Sequence, residues 1–400
     1  MGPFTFYTPT KVFFGEQAEA NISTVIREGC YRKVLIHYGS DRVKQSGLLK
    51  KVRDEVLAGG AEVVELGGVE PNPDIALVRE GVELCRAEGV DFVLGVGGGS
   101  VCDSCKAIRG ALSLGIDPWE ALTKNLYAKQ TVPMGIVLTM AAAGSEMSNS
   151  CVITDRSIGK KCGSNHDGNR PQYAFMNPVN TLTTPAYQTA AGVTDIMMHT
   201  MERFLTDEPD TPLTDALALA LLNTVREYGL VLRDEPENLE ARAEVLWASS
   251  ISHNNLTECG RVRRTFVCHK ICHGICGVHD KITHGASLSV IFPAWCLHEY
   301  RRGLDRFFTL MADVWGGEAE FTEGMTEEEY KEETILDGIG KMKAYFSSIG
   351  MPVTLAELEV DPSEYERLSA GTTAGDSKPL RSFGHSLNQA EILEIYHLAE

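Results

Sequence analysis

The sequence predicts an α/β protein with a parallel sheet in its N-terminal half and an all-helical C-terminal half. Three observations carry this. Short apolar runs alternate with amphipathic stretches up to about residue 140, the signature of strand–helix–strand units. After Thr184-Pro185 the strand signal fades, and long segments of helical periodicity follow. One of the apolar runs leads directly into Gly97-Gly98-Gly99-Ser100 and then a helical stretch, a strand–turn–helix unit that reads equally as a plain tight turn or as a diphosphate cradle.

In chain order, Lys33–Tyr38 reads as a buried strand ending in Gly39-Ser40-Asp41, and a helix is expected over Leu48–Ala58. Ala61–Leu66 is the next strand, Pro71-Asn72-Pro73-Asp74 a turn, and Ile75–Glu88 a helix. Asp91–Val96 is the third strand, followed by the glycine turn and a helix over Ser104–Leu112; Val132–Met140 is the fourth strand. Beyond Pro185, helices are expected over Ala186–Phe204, Thr211–Leu232, Leu239–Leu256, Val267–Cys276, Leu304–Trp315, Glu327–Ser348 and Asn388–His397. Gly316–Glu329, rich in Gly and Glu, is expected to be an exposed loop. The boundary at Pro185 follows because proline disfavours helix in the residue before it. It divides the chain into domains 1–185 and 186–400.

A formal net charge of −18 argues against nucleic acid or an anionic membrane as partner. No apolar run approaches the roughly 18 residues of a membrane span. The N-terminus lacks the regions of a signal peptide, so a cytoplasmic protein with reduced thiols is expected, although there are eleven cysteines.

Glycines in the turn let a diphosphate approach the backbone, and the amides at the following helix N-terminus face its oxygens. This makes residues 1–185 a candidate dinucleotide-binding domain, with Gly98, Gly99, Ser100 and Asp103 at the turn. Such a ligand lies at the carboxyl ends of parallel strands. Gly39, Ser40, Asn72 and Thr139 occupy those ends and become cofactor-binding candidates; Lys161 is included with them.

In the segment Gly192–Phe204, Asp195 and His199 stand four apart and so share a helix face, where a carboxylate and an imidazole can ligate a divalent metal. Further ligands are sought in His269, His273, His279 and His284, four of the eleven histidines within sixteen residues. Cys268, Cys272 and Cys276 repeat at the same helical interval and read as a buried packing stripe rather than thiolate ligands, and Cys102 and Cys105 likewise.

These motifs together (Gly97-Gly98-Gly99-Ser100-x-x-Asp103, Gly144-Ser145-Glu146, Gly192-x-x-Asp195-x-x-x-His199, His269-x-x-x-His273 and His284-Gly285) resemble the iron-containing (group III) alcohol dehydrogenases, nearest to the butanol dehydrogenase and aldehyde reductase branch. The resemblance spans nearly the whole chain. It implies that Asp195, His199, His269 and His284 hold Fe²⁺, with Zn²⁺ an alternative, and that His273 is an uncoordinated catalytic histidine relaying a proton. It implies a site in a cleft between the two domains, a small aldehyde or primary alcohol as substrate, and a homodimer or larger assembly. Ser40 stands where NAD-selective members place Asp, which points to NADP(H) over NAD(H), while Asp41 opposes a 2′-phosphate. The chain departs from the family in one additional residue between His273 and His284, which keeps His279 open as the ligand, and in Ala141 and Ala143 before Gly144. It also carries Arg261, Arg263 and Arg264 ahead of His269, which read first as a solvated loop facing the acidic surface, with recognition of an anionic aldehyde as the bolder alternative. The alternatives are a zinc-dependent glycerol or polyol-phosphate dehydrogenase and a non-enzymatic metal or dinucleotide sensor.

Overall fold

The apolar runs of the N-terminal half become strands of one sheet in the computed structural model, which describes residues 1–207, 211–261, 266–279 and 281–400. The strands are β1 (Lys11–Phe14), β2 (Lys33–Tyr38), β3 (Glu62–Leu66), β4 (Phe92–Gly97), β5 (Met134–Leu138), β6 (Ser150–Asp155), β7 (Lys160–Asn165) and β8 (Tyr173–Met176). Six of them form a parallel sheet in the order β1-β8-β5-β4-β2-β3. Helices α1 (Asn21–Glu28), α2 (Arg42–Gln45), α3 (Leu48–Ala58), α4 (Ile75–Glu88), α5 (Gly99–Leu114) and α6 (Pro118–Thr123) connect them. Both faces are covered, so the central strands are mostly apolar: Val34, Leu35, Ile36, Val93, Leu94, Ile136 and Val137 are fully buried.

From β2 the chain first adds β3 on one side and then crosses to add β4 on the other. The order therefore reverses between β2 and β4, and the crevice at their carboxyl ends is where such sheets bind ligands. Gly39 follows β2 and Gly98 follows β4.

The four expected strands and the helices at 48–58 and 75–88 are present. The helix after the glycine turn begins at Gly99, five residues before the expected Ser104, because packing overrides the low helix propensity of its first residues. β1 and β8 escaped the sequence reading because four residues carry too little periodicity. β6 and β7 form a separate antiparallel hairpin.

The chain clusters into two units. One contains Tyr7–Thr184 together with Glu237–Asn254; the other contains Met1–Phe6, Pro185–Pro236 and Asn255–Glu400. The chain thus leaves and re-enters the second unit, which a single boundary at 185 does not describe. The remaining helices are α7 (Ala186–Phe204), α8 (Pro212–Asp234), α9 (Leu239–His253, in the sheet unit), α10 (Val267–Val278), α11 (His284–Glu299), α12 (Leu304–Asp313), α13 (Glu327–Ser348), α14 (Tyr365–Thr373) and α15 (Gln389–Leu398). The mostly helical unit also carries one short hairpin, β9 (Leu380–Ser382) with β10 (His385–Leu387). Among the described residues no helix is long and apolar enough to cross a membrane.

Helix α11 was not expected. It is apolar on every side and contains Pro293, so it offers no helical alternation to read. Its second residue lies against α7: a Cβ on Gly285 would stand 2.2 Å from the Ala191 carbonyl oxygen, a backbone atom that cannot rotate away. Gly285→Ala is expected to destabilise the fold by about 2–3 kcal/mol. Gly340→Ala in α13, where a Cβ meets nothing within 4 Å, is expected to be neutral or slightly stabilising. Thermal unfolding of the two variants checks the contrast.

Candidate functional site

Helix α7 is buried from Thr189 to Phe204, yet its face carries Asp195, His199 and Glu202 at helical spacing. Three ionisable groups in an apolar setting are costly unless something compensates them. Asp195 and His199 meet His269 from α10, and one ligand atom from each lies within 4.8 Å of the other two. Asp195 Oδ1 and His269 Nε2 are 3.6 Å apart, and neither has a hydrogen-bond partner. A tetrahedral ion with bonds of about 2.1 Å holds its ligand atoms about 3.4 Å apart. Two orphaned buried acceptors at that separation, beside a third ligand, fit a divalent cation.

The ring orientations agree. His199 Nδ1 lies 2.9 Å from the Asp195 carbonyl oxygen, which only accepts, so Nδ1 donates and Nε2 keeps its lone pair. His269 Nδ1 donates to the Glu202 carboxylate, again leaving Nε2 as the ligand atom. Burial alone would lower the pKa of His269, but the charge of Glu202, with Asp195, outweighs it and pushes it up to about 9. Phe266, held in the left-handed region at φ 44°, places its ring 5.2 Å from His269 and 6.2 Å from His199 as an apolar wall.

His284, at the start of α11, has its ring centroid 5.2 Å from that of His269 and 5.4 Å from that of His273. It adjoins the three-residue cluster without entering it. His273 is half-buried on α10. His279 Nε2 lies 3.3 Å from Glu364 Oε1, away from the cluster. In the connection 279–283 between α10 and α11, Asp280 lies outside the described residues. Cys268, Cys272 and Cys276 are buried, and desolvation raises the thiol pKa values of Cys268 and Cys272; the stripe is packing.

In the sheet unit, α5 starts at the carboxyl end of β4 with no side chain capping its N-terminus. Its glycines divide into two kinds. A Cβ on Gly95 would meet Ile136 at 2.2 Å and one on Gly97 would meet Val101 at 2.5 Å, so helix–strand packing requires both. A Cβ on Gly98 or Gly99 would come no closer than 3.7 Å to any protein atom, and neither residue has a positive φ. The fold does not require glycine there; an external group approaching the open helix end would. Ser100 follows in the same turn.

Gly39 and Ser40 lie across the crevice after β2, Ser40 being exposed. Asp41 pairs with Lys44 at 3.0 Å. Lys161 on β7 donates to Asn72 Oδ1 at 2.9 Å, and the β6–β7 hairpin leans on the same turn through Thr154 N to Pro73 O at 2.9 Å. Thr139 continues β5, its amide bound to Gly97 O at 3.1 Å. Asp103 faces the protein: its carboxylate accepts from Ser145 Oγ at 2.6 Å and Val152 N at 3.0 Å, so it shapes the loop after β5.

The sequence reading missed Lys106, whose buried ammonium donates to Ser145 Oγ at 2.7 Å and Ser150 O at 2.6 Å and ties that loop to α5. It missed His37, which joins Leu66 O to Ser104 Oγ, both at 2.8 Å, with a pKa lowered to about 4 by burial. It also missed Glu202, although an acid three residues beyond His199 on the same helix face was a readable signal. Arg261 needs correction. It is buried and paired with Asp215, and it donates to Thr257 O at 2.8 Å, so it is part of the fold rather than an anion reader. Arg263 and Arg264 lie outside the described residues.

Residues 9–178 match the family description "iron-containing alcohol dehydrogenase", and residues 189–399 match "Fe-containing alcohol dehydrogenase family, C-terminal". The chain is 32% identical to the NADH-dependent butanol dehydrogenase A of Clostridium acetobutylicum, covering 98% of each chain. It is 34% identical to an NADPH-dependent aldehyde reductase of Escherichia coli, covering 92% of each. The crystal structure of NADH-dependent butanol dehydrogenase A from Thermotoga maritima superposes with a TM-score of 0.92 at 31% identity, covering 100% of this chain and 99% of that one. With both halves matched and relatives aligned nearly end to end, the chain belongs to the iron-containing alcohol dehydrogenases.

Proposed function

We propose that this enzyme transfers a hydride between NADP(H) and a short-chain aldehyde or primary alcohol, working as an aldehyde reductase with Fe²⁺. The observation that carries this reading is the buried Asp195–His199–His269 cluster with its two orphaned ligand atoms. When bound, the ion supplies a Lewis acid that polarises the carbonyl, and the nicotinamide supplies the hydride. Asp195, His199 and His269 hold the ion, and His284 completes the set. Gly98, Gly99 and Ser100 receive the diphosphate on the open end of α5, and Thr139, with the loop that Lys106 and Asp103 hold, faces the nicotinamide side. Reduction also needs a proton on the product oxygen. The half-buried imidazole of His273 is suited to deliver it and to recover one from solvent. β1 ends the sheet with Phe14 exposed near exposed Val179, Leu239 and Trp247, which supports a homo-oligomer.

Anaerobic assay of NADPH oxidation with an aldehyde panel tests this. Activity is expected with added Fe²⁺ and is lost on chelation. Undiminished activity in metal-stripped protein would overturn it.

For the cofactor, Ser40 leaves room at the ribose, and Asp41 is held by Lys44. Ser40→Asp is expected to shift the NADPH/NADH ratio of kcat/KM at least roughly tenfold toward NADH, about 1.4 kcal/mol. A wild type that already prefers NADH refutes the preference.

A further inference from the structure

We propose that Glu202 is a positioning residue for the ligand His269 and the second negative charge, with Asp195, that a divalent ion meets at this centre. This rests on the reading of the cluster as a metal site. Glu202 is fully buried on α7, one turn beyond His199. One carboxylate oxygen accepts from His269 Nδ1 and the other from the backbone amide of Cys268, at 2.8 Å. The same side chain therefore grips both the ring and the first turn of α10 that carries it. In the neutral, metal-binding ring this fixes the tautomer: the proton stays on Nδ1 and the lone pair of Nε2 lies on the side of Asp195 Oδ1, 3.6 Å away. A carboxylate behind an imidazole also makes that imidazole a stronger donor to a metal. Three imidazoles and Asp195 alone would leave a divalent ion with one uncompensated positive charge, and Glu202 supplies the compensating one.

Glu202→Gln keeps the size and one carbonyl acceptor but removes the charge. Chelator competition with Zn²⁺ is expected to show roughly 10–100-fold weaker binding than wild type, with the far-ultraviolet circular dichroism of the metal-free protein unchanged. In a His269→Ala background the same substitution is expected to cost markedly less, because only its charge, and not its grip on the ring, is still lost. Wild-type affinity in Glu202→Gln, or an equal loss in both backgrounds, overturns the proposal; a merely structural role predicts the second result. A wild type that binds no divalent ion instead overturns the metal reading itself. If Gln is not accommodated, ¹⁵N-histidine spectra of zinc-loaded wild type decide: Nδ1 of His269 protonated is the expected state, and Nε2 protonated overturns it.

Discussion

Asp195→Ala is expected to lower kcat/KM for aldehyde reduction by roughly a thousandfold, about 4 kcal/mol of transition-state stabilisation. The carboxylate is the only anionic member of the three-residue cluster, and its Oδ1 is one of the two atoms left without a partner. On the proposed reading its removal deletes a ligand and half of the negative charge facing the site, so metal occupancy and Lewis acidity would fall together. Stability is expected to move differently. The metal-free variant keeps the unfolding temperature of the metal-free wild type within a few degrees, since an uncompensated buried carboxylate does not favour the fold. The rise in unfolding temperature on adding metal that linkage predicts for wild type is expected to vanish in the variant. Metal content measured beside activity checks both. Full activity in a metal-free Asp195→Ala protein would exclude the cluster as the centre.

Gly99→Val is expected to weaken cofactor binding by roughly a hundredfold, near 2.7 kcal/mol, with little change in unfolding temperature. The protein leaves space at this position, where the nearest atoms to a Cβ are 3.9 Å away, so the fold accepts the side chain. What the side chain would displace is the diphosphate proposed to sit at the N-terminus of α5. Gly97→Val is the converse. Its Cβ would meet Val101 at 2.5 Å inside the helix–strand contact, so it is expected to unfold at a lower temperature whatever its effect on cofactor. Cofactor titration and thermal unfolding of the pair separate a glycine kept for a ligand from one kept for packing. Equal affinity for cofactor in Gly99→Val and wild type would remove the cradle from the binding site.

Much of the architecture is local and so could be read from residue order. The buried strand at 33–38 and the helices at 48–58, 75–88, 186–204 and 327–348 begin and end where apolar periodicity and turn residues place them. The shared helix face of Asp195 and His199 is equally local, because four residues make about one turn. Elements without periodicity were not legible. α11 is buried on all sides and has no polar face, and β1 and β8 are strands only because each lies beside another.

The sequence by itself determined the family, the two kinds of secondary structure in the two halves and the side chains that share a helix face, because these depend on neighbours within a turn or two. Only the tertiary structure decided that Glu202 stands behind His269, that Asp103 and Lys106 hold a loop, that His279 turns to Glu364 and that Arg261 serves Asp215. Those pairings join residues up to 85 positions apart, as His279 and Glu364 are. They are set by which helices pack together, and sequence spacing carries no record of that.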